Sequence, residues 1–390
     1  MTSWKNSIPV QSWNNWKWQL AHRITNTEML SEVLDLSEQE KTDITTCLKQ
    51  FRMAITPYYA SLIHPEDEKD PIRMQSVPSI QETLYCSDDL DDPLNEVGSS
   101  PVPNIVHRYP DRVLLLATYV CSMYCRHCTR RRVVGEEDGM ITESELEMAL
   151  DYIRSHEEVR DVLISGGDPL TMNTKKLESI IAGLRAIPHV DIIRIGTRVP
   201  VVLPMRITEE LLAMLKKYQP IWINTHFNHP REITPDAERA CTAIVDAGIP
   251  LGNQSVLLRG INDNAEVMKD LLLKLVHMRV RPYYLYQCDL SRGISHFRTD
   301  VDTGIDIMHQ LTGYISGFAV PKYVIDAPHG GGKIPINYNY VLRRDDHEVL
   351  LENYKGERYH YPIPQRPKSE TASNANPSKE PQDNPIKCNL

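Results

Sequence analysis

Cys121-Ser122-Met123-Tyr124-Cys125-Arg126-His127-Cys128 carries three thiols at C-x3-C-x2-C spacing. Zinc knuckles are built from paired C-x2-C units, and no second pair follows at a suitable distance. The spacing instead suits thiolates that hold three corners of a four-iron, four-sulfur cube, a cluster that ordinarily takes four cysteines. A fourth iron without a protein ligand is open to a small molecule, which points to catalysis more than to electron storage. The plainer alternatives are three buried thiols or a structural zinc site completed by a distant ligand. Buried cysteines are seldom packed this tightly with polar residues between them.

Working outward, residues 113–120 form an apolar run that predicts a buried strand ending at Cys121. Further strands are predicted at 161–165, 192–196, 220–225, 250–257 and 280–286, with helices between them. Thr142-x-x-Glu145 is a capping box ahead of Leu146, Leu150 and Ile153. Thr174 stands ahead of Leu177, Ile180, Ile181 and Leu184, and Thr208 ahead of Leu211, Leu212 and Leu215. Thr234-Pro235 opens a helix that Gly248 closes, and residues 264–277 carry the last long one. Six β/α units predict an α/β fold whose parallel sheet curves into a barrel or part of one, the expected form being a partial (β/α)6 barrel of the TIM type, with ligand residues at the C-terminal ends of the strands. The expected domains are an N-terminal helical extension (1–98), the barrel with its cofactor sites (99–335), a C-terminal extension (336–364) and a disordered, Ser/Pro/Asn/Lys/Glu-rich tail (365–390). In the extension, Trp13, Trp16 and Leu20 recur at helical spacing, and a second amphipathic helix is predicted over 37–53. The tryptophans read as core or subunit-interface anchors. Residues 89–96 are acidic and read as a solvated loop.

The 390 residues suffice for one large α/β domain with additions, and a hydrophobic fraction of 41% supports a sizeable core. A net charge of -9 argues against a general nucleic-acid binder. No apolar run approaches the roughly 20 residues needed to span a bilayer, and the Trp-rich opening lacks a signal peptide's apolar core. Eight cysteines in so long a chain do not make a disulfide scaffold. A cytoplasmic location is expected, where an exposed iron–sulfur cluster is also safest.

Several further motifs fall at strand ends. In Ser165-Gly166-Gly167-Asp168-Pro169 the paired glycines let a ligand approach bare backbone, although an ordinary tight turn reads the same way. His226 and His229 could bind a metal, but no third ligand suggests itself, so polar packing near a cofactor is the better reading. Asn253-Gln254-Ser255 could hydrogen-bond a nucleoside. Asp326-Ala327-Pro328-His329-Gly330-Gly331-Gly332-Lys333 fails as a P-loop: Ala327 stands in place of the first glycine and Ile334 in place of Ser/Thr. Its alternative is a lysine presented by flexible backbone beside a pocket, able to form a Schiff base with pyridoxal phosphate. Arg108 and Arg112 are candidate cations for that cofactor's phosphate. If Asp289 and Asp326 meet in one pocket, the two carboxylates repel and one pKa rises unless a cation sits between them, which a substrate ammonium would supply. Otherwise Asp289 is a strand-end cap and Asp326 a turn residue. Of Arg126, Arg130, Arg131 and Arg132, at least one is expected to handle an anion in the pocket.

The cysteine spacing resembles that of the radical S-adenosylmethionine enzymes, whose open iron binds the amino and carboxylate groups of S-adenosylmethionine. Taken with the Trp-rich opening, the His107–Arg112 segment, CSMYCRHCTRRR, LISGGDPL, NQSVLLRG and both Asp-bearing motifs, most of residues 10–360 resembles the lysine 2,3-aminomutase family. The resemblance implies that Cys121, Cys125 and Cys128 hold a [4Fe-4S] cluster, and that Lys333 carries pyridoxal phosphate with Arg108, Tyr109 and Arg112 nearby. It implies a S-adenosylmethionine site at Gly166, Gly167, Asp168, His226 and Gln254. It also implies that Arg130 binds the substrate α-carboxylate while Asp289 and Asp326 receive the side-chain ammonium. The implied reaction converts L-lysine to β-lysine; arginine or ornithine as substrate, or a non-catalytic iron–sulfur protein, are the alternatives. A one-electron reductant such as flavodoxin or ferredoxin and a homo-oligomer are implied as partners. Clostridial members bind a structural zinc through clustered C-terminal cysteines and one from the barrel. Here Asn264 occupies that barrel region and the tail offers only Cys388, so no zinc is expected.

Overall fold

Seven strands run parallel in the order in which the chain makes them: β2 (Arg112–Thr118), β3 (Asp161–Gly166), β4 (Ile192–Gly196), β5 (Ile221–Thr225), β6 (Leu251–Leu257), β7 (Arg281–Gln287) and β8 (Lys322–Ala327). Antiparallel strands flank them, β1 (Ile105–Tyr109) beside β2 and β9 (Gly332–Pro335) beside β8, completing a nine-stranded sheet. The computed structural model describes residues 3–135 and 139–364. The predicted tail at 365–390, with Cys388, lies outside the described residues. By contact density the chain divides into Met1–Tyr338 and Asn339–Leu390, so residues 1–98 fall in the same unit as the sheet. The second unit holds a three-stranded antiparallel sheet of β10 (Val341–Arg344), β11 (Glu348–Glu352) and β12 (Arg358–Pro362). Among the described residues no helix is long and apolar enough to cross a membrane.

The period of two along each strand separates the core from the site. Val162 and Ile164, Ile193 and Ile195, and Ile221 and Ile223 are buried, each fully or nearly so. They pack under amphipathic helices such as Thr174–Arg185, whose Leu177, Ile180, Ile181 and Leu184 are buried completely. The alternate residues face the other way. Arg112 and Leu114 on β2, Leu163 and Ser165 on β3, Arg194 and Gly196 on β4, and Tyr284 and Tyr286 on β7 all line one cavity. The predicted Thr142–Glu145 capping box is present, and Thr208, Thr234 and Asn264 cap their helices. At the second crossover the cap is Asn173, not Thr174, which is the first helical residue.

Three local expectations change. The Trp13–Leu20 stretch is two helices, Val10–Trp13 and Trp16–Ala21, because the Asn15 side chain accepts from Lys17 N and Trp18 N and restarts the helix. The second amphipathic helix is Glu38–Leu48, opened by a Ser37–Glu40 capping box and ending short of Phe51. A seventh parallel strand, β8, joins the six that were predicted, delivered by helix Val301–Leu311.

Candidate active site

The cysteine loop leaves the end of β2 and is gripped by residues from the N-terminal hundred. Tyr124 N donates to Ala54 O (2.9 Å) and Arg126 N to Gln75 O (3.0 Å). The buried Arg126 side chain donates to Glu82 (Nε to Oε1, 2.9 Å) and to Arg52 O (2.7 Å), and Arg131 reaches the same Glu82. Cys121, Cys125 and Cys128 are unpaired and all line the cavity. Burial pushes the Cys121 thiol well up and the Cys128 thiol up to about 11. Burial thus disfavours the thiolate at Cys121 and Cys128; a soft metal supplies the charge that makes neighbouring thiolates acceptable. Among the described residues no three His, Cys, Asp or Glu side chains close on a single ion.

Gly166 and Gly167 are required by the protein's own backbone. Gly166 has φ +121, and a Cβ on it would lie 2.2 Å from Thr118 O; one on Gly167 would lie 2.4 Å from Val120 O. The motif closes β3 onto the end of β2, and both glycines still border the cavity. Asp168 is buried and its carboxylate is spent: it accepts from Leu170 N, from Thr197 Oγ1 (2.7 Å) and from Arg198 N (2.7 Å). Asp168 thus braces β3 against β4, and it borders the cavity as well. His226 is held neutral, its pKa brought down to about 4 by burial and by Arg198. Its Nδ1 donates to Gln254 O (3.0 Å), which leaves Nε2 as an acceptor. Gln254 Nε2 donates to Tyr286 Oη (3.2 Å). His229 is not in this group; it caps a 3-10 turn through Arg231 N.

Lys333 is presented by a tight hairpin, not by flexible backbone. Asp326 on β8 and Lys333 on β9 are register partners, and the intervening turn uses positive φ at His329, Gly330 and Gly332. Lys333 Nζ lies 3.1 and 3.2 Å from the two Asp326 oxygens and over the Tyr286 ring (5.3 Å). Its backbone N donates to Tyr109 Oη (2.9 Å). The Arg112 guanidinium stacks on the Tyr109 ring (4.0 Å). Arg108 donates Nη2 to Leu94 O, and its buried Nε finds no partner among the described residues. A buried orphan donor beside the lysine fits a phosphate oxygen.

Asp289 and Asp326 both line the cavity. Burial, and next to it the Asp326 charge, raise the Asp289 carboxyl to about 7, while Lys333, Arg108 and Arg298 pull the other way. Arg130 is present but engaged. Its Nε donates to both Glu96 oxygens (2.8 and 3.0 Å), and Nη1 is 3.3 Å from Ser165 Oγ. Residues 89–96 are therefore no solvated loop: Glu96 is buried against Arg130, Asp92 pairs with Arg132 and Asp89 with Arg298. Pro93 O also accepts from His329 N (2.9 Å), tying this segment to the lysine hairpin.

One cavity of about 570 Å³ thus borders the three cysteines, Gly166, Gly167, Asp168, His226, Gln254, Arg108, Tyr109, Arg112, Arg130, Asp289, Asp326 and Lys333. Glu96, Arg198 and Tyr286 border it too and were not singled out from the sequence. The rule that strand ends carry ligand residues would have found Arg198, two residues past β4, and Tyr286, one residue before the end of β7. Glu96 had a fainter signal, an acidic stretch matching a run of arginines.

The cavity at the C-terminal mouth of a parallel sheet, with a three-cysteine loop after its first strand, defines the class: this is a radical S-adenosylmethionine enzyme. Residues 115–272 match the Radical SAM superfamily model and residues 308–386 the model described as Lysine-2,3-aminomutase. The chain is 56% identical to the L-lysine 2,3-aminomutase of Clostridium subterminale over 88% of its length and 83% of the relative's, and 57% identical to that of Fusobacterium nucleatum over 90% and 82%. The glutamate 2,3-aminomutase of Clostridioides difficile is 48% identical over 89% and 82%. The chain belongs to the lysine 2,3-aminomutase family, and membership carries with it a four-iron cluster, S-adenosylmethionine and pyridoxal phosphate.

Proposed function

We propose that this chain moves the amino group of L-lysine from C2 to C3, giving β-lysine. The observation that carries the reading is the single cavity bordered by three cysteines outside any disulfide, a hairpin lysine and two carboxylates. The thiols of Cys121, Cys125 and Cys128 are the donor set for the cluster. Lys333 is the attachment point for pyridoxal phosphate, with Tyr109 fixing its backbone and Arg108 and Arg112 available to the phosphate. Gly166, Gly167, Asp168, His226 and Gln254 border the space for S-adenosylmethionine. When bound, the cluster and S-adenosylmethionine supply a carbon-centred radical, and pyridoxal phosphate supplies a π system over which unpaired spin is spread.

The chain's own residues choose and hold the substrate. Among the described residues Lys333 is the cation within hydrogen-bond reach of Asp326, and the Asp326 charge helps raise the Asp289 pKa. Were Lys333 turned toward the cofactor, its nitrogen would leave Asp326, and the pair would need another cation. A lysine ε-ammonium fits. Two charge-assisted hydrogen bonds of about 1.5–3 kcal/mol each favour a cationic side chain over a neutral one by roughly 10²–10⁴-fold. Arg130, steadied by Glu96, takes the α-carboxylate and so fixes which carbon faces the radical source. A one-electron reductant of the flavodoxin or ferredoxin type, a homo-oligomeric assembly and a cytoplasmic setting complete the proposal.

The test is anaerobic reconstitution followed by chromatography of products from lysine, arginine, ornithine and glutamate. β-Lysine is the expected main product. Faster turnover of arginine or ornithine would overturn the substrate assignment, and full turnover by Lys333→Ala without added amine would overturn the role of that lysine.

A further inference from the structure

We propose that Arg198 is the fixed counter-charge of the iron–sulfur cluster, a positioning residue that acts through Cys125 and sets how readily the cluster accepts its electron. The proposal rests on the reading that Cys121, Cys125 and Cys128 hold that cluster.

Arg198 follows β4 at the mouth of the sheet and is buried. Its Nη1 donates to Cys125 Sγ. Every other polar group on the residue is held as well. Nη2 donates to Glu232 Oε1 (2.7 Å) and to Gln75 Oε1, Nε donates to His226 O (3.2 Å), and the backbone N donates to Asp168 Oδ2 (2.7 Å). The guanidinium therefore cannot swing away from the sulfur. Glu232 is equally fixed, since its other oxygen accepts from Asn228 N (2.6 Å) and His229 N (2.9 Å). Arg130, also on the cavity, is engaged by Glu96, and His226 is neutral. Among the described residues Arg198 is the cation whose hydrogen bond reaches a cysteine sulfur of the loop.

Reduction adds one negative charge to a cluster already bound to three thiolates. Hydrogen bonds to the sulfurs and nearby net charge are among the terms that set such potentials. A buried cation held against Sγ stabilises the reduced form more than the oxidised one. Its anchors show where the control comes from: Gln75 belongs to the N-terminal segment, and Asp168 and His226 border the cofactor space. The cluster's electrostatics, the N-terminal segment and the adjoining pocket are joined through this one side chain.

The test is an EPR-monitored redox titration of reconstituted protein, with iron content and thermal unfolding recorded in parallel. Arg198→Gln is expected to make reduction at least tenfold less favourable, a fall of about 59 mV for a one-electron couple. Arg198→Lys, which keeps the charge but not the planar fork, is expected to recover most of that shift. Should Arg198→Gln fail to fold because Glu232 is left unpaired, Arg198→Gln/Glu232→Gln removes both buried charges and is expected to shift the same way. A folded, fully loaded variant whose equilibrium constant stays within threefold of the parent overturns the proposal. So does a variant that folds but retains no cluster, because Arg198 would then serve assembly. If the parent protein takes up no cluster at all, it is the cysteine reading that fails.

Discussion

Asp289 sits where burial and a facing carboxylate both oppose its ionisation, and the hairpin supplies only one cation, Lys333, for the two acids. Its folded value of about 7 lies above the ~4 of an unfolded chain. Between those values the folded state holds the extra proton, so this group's contribution to stability falls as pH rises through the window and is fully lost above about 7. Asp289→Asn should therefore raise the unfolding temperature of the cofactor-free protein at pH 8, by about 2 °C or more, and leave it unchanged at pH 4. Thermal melts at the two pH values check this; equal effects at both would show that the asparagine acts by packing instead. The same substitution should raise the KM for lysine ~10–100-fold by removing one charge-assisted hydrogen bond. In the parent enzyme a substrate ammonium draws the carboxyl down, so lysine binding should weaken as pH falls below about 7.

At the scale of the element, the β8–β9 hairpin decides where the Schiff-base lysine points. Gly332 has φ +86, and a Cβ there would lie 3.2 Å from Tyr109 Oη, the oxygen that accepts from Lys333 N. Gly248 has a similar φ of +77 at a helix end, with open space around it. Alanine at either position costs roughly 1–2 kcal/mol in backbone conformation. Only Gly332→Ala also displaces Tyr109, so both variants should lose similar stability while Gly332→Ala alone binds pyridoxal phosphate more weakly. Absorbance titrations of the two compare them, and equal affinities would remove the hairpin from the cofactor site. This hairpin also marks the limit of what could be read in advance. β3 to β7 were legible because apolar and polar residues alternate between a covering helix and a cavity. In the 326–333 stretch the glycines suggested looseness, whereas they satisfy the positive φ values of a tight turn whose register pairs Asp326 with Lys333. The two aspartates were legible as chemistry, but Glu96 was hidden, because its burial depends on Arg130 arriving from 34 residues further along the chain.

Across the whole chain, the N-terminal hundred residues and the cysteine loop are held together by charge taken out of water. Glu82 is fully buried and accepts from Arg126, Arg131 and Ser79 N. Burial alone would raise its carboxyl, yet Arg126 and Arg131 hold it below the usual range. Such a triad is a poor source of net stability, but removing one member strands the others: breaking a buried pair costs about 3–5 kcal/mol. Glu82→Gln leaves two guanidinium groups, Arg126 within the cysteine loop and Arg131 just past it, beside a neutral amide. It should lower the unfolding temperature and reduce the iron retained after reconstitution, since the loop backbone hangs on Arg126 through Arg52 O and Gln75 O. Asp191→Asn, which breaks the exposed Arg160–Asp191 pair, removes the same type of charge from the surface and should change neither quantity measurably. Iron analysis and melting curves on the three proteins decide the matter. If Glu82→Gln melts and holds iron as the parent does, the N-terminal segment is a neighbour of the cluster loop and not its support.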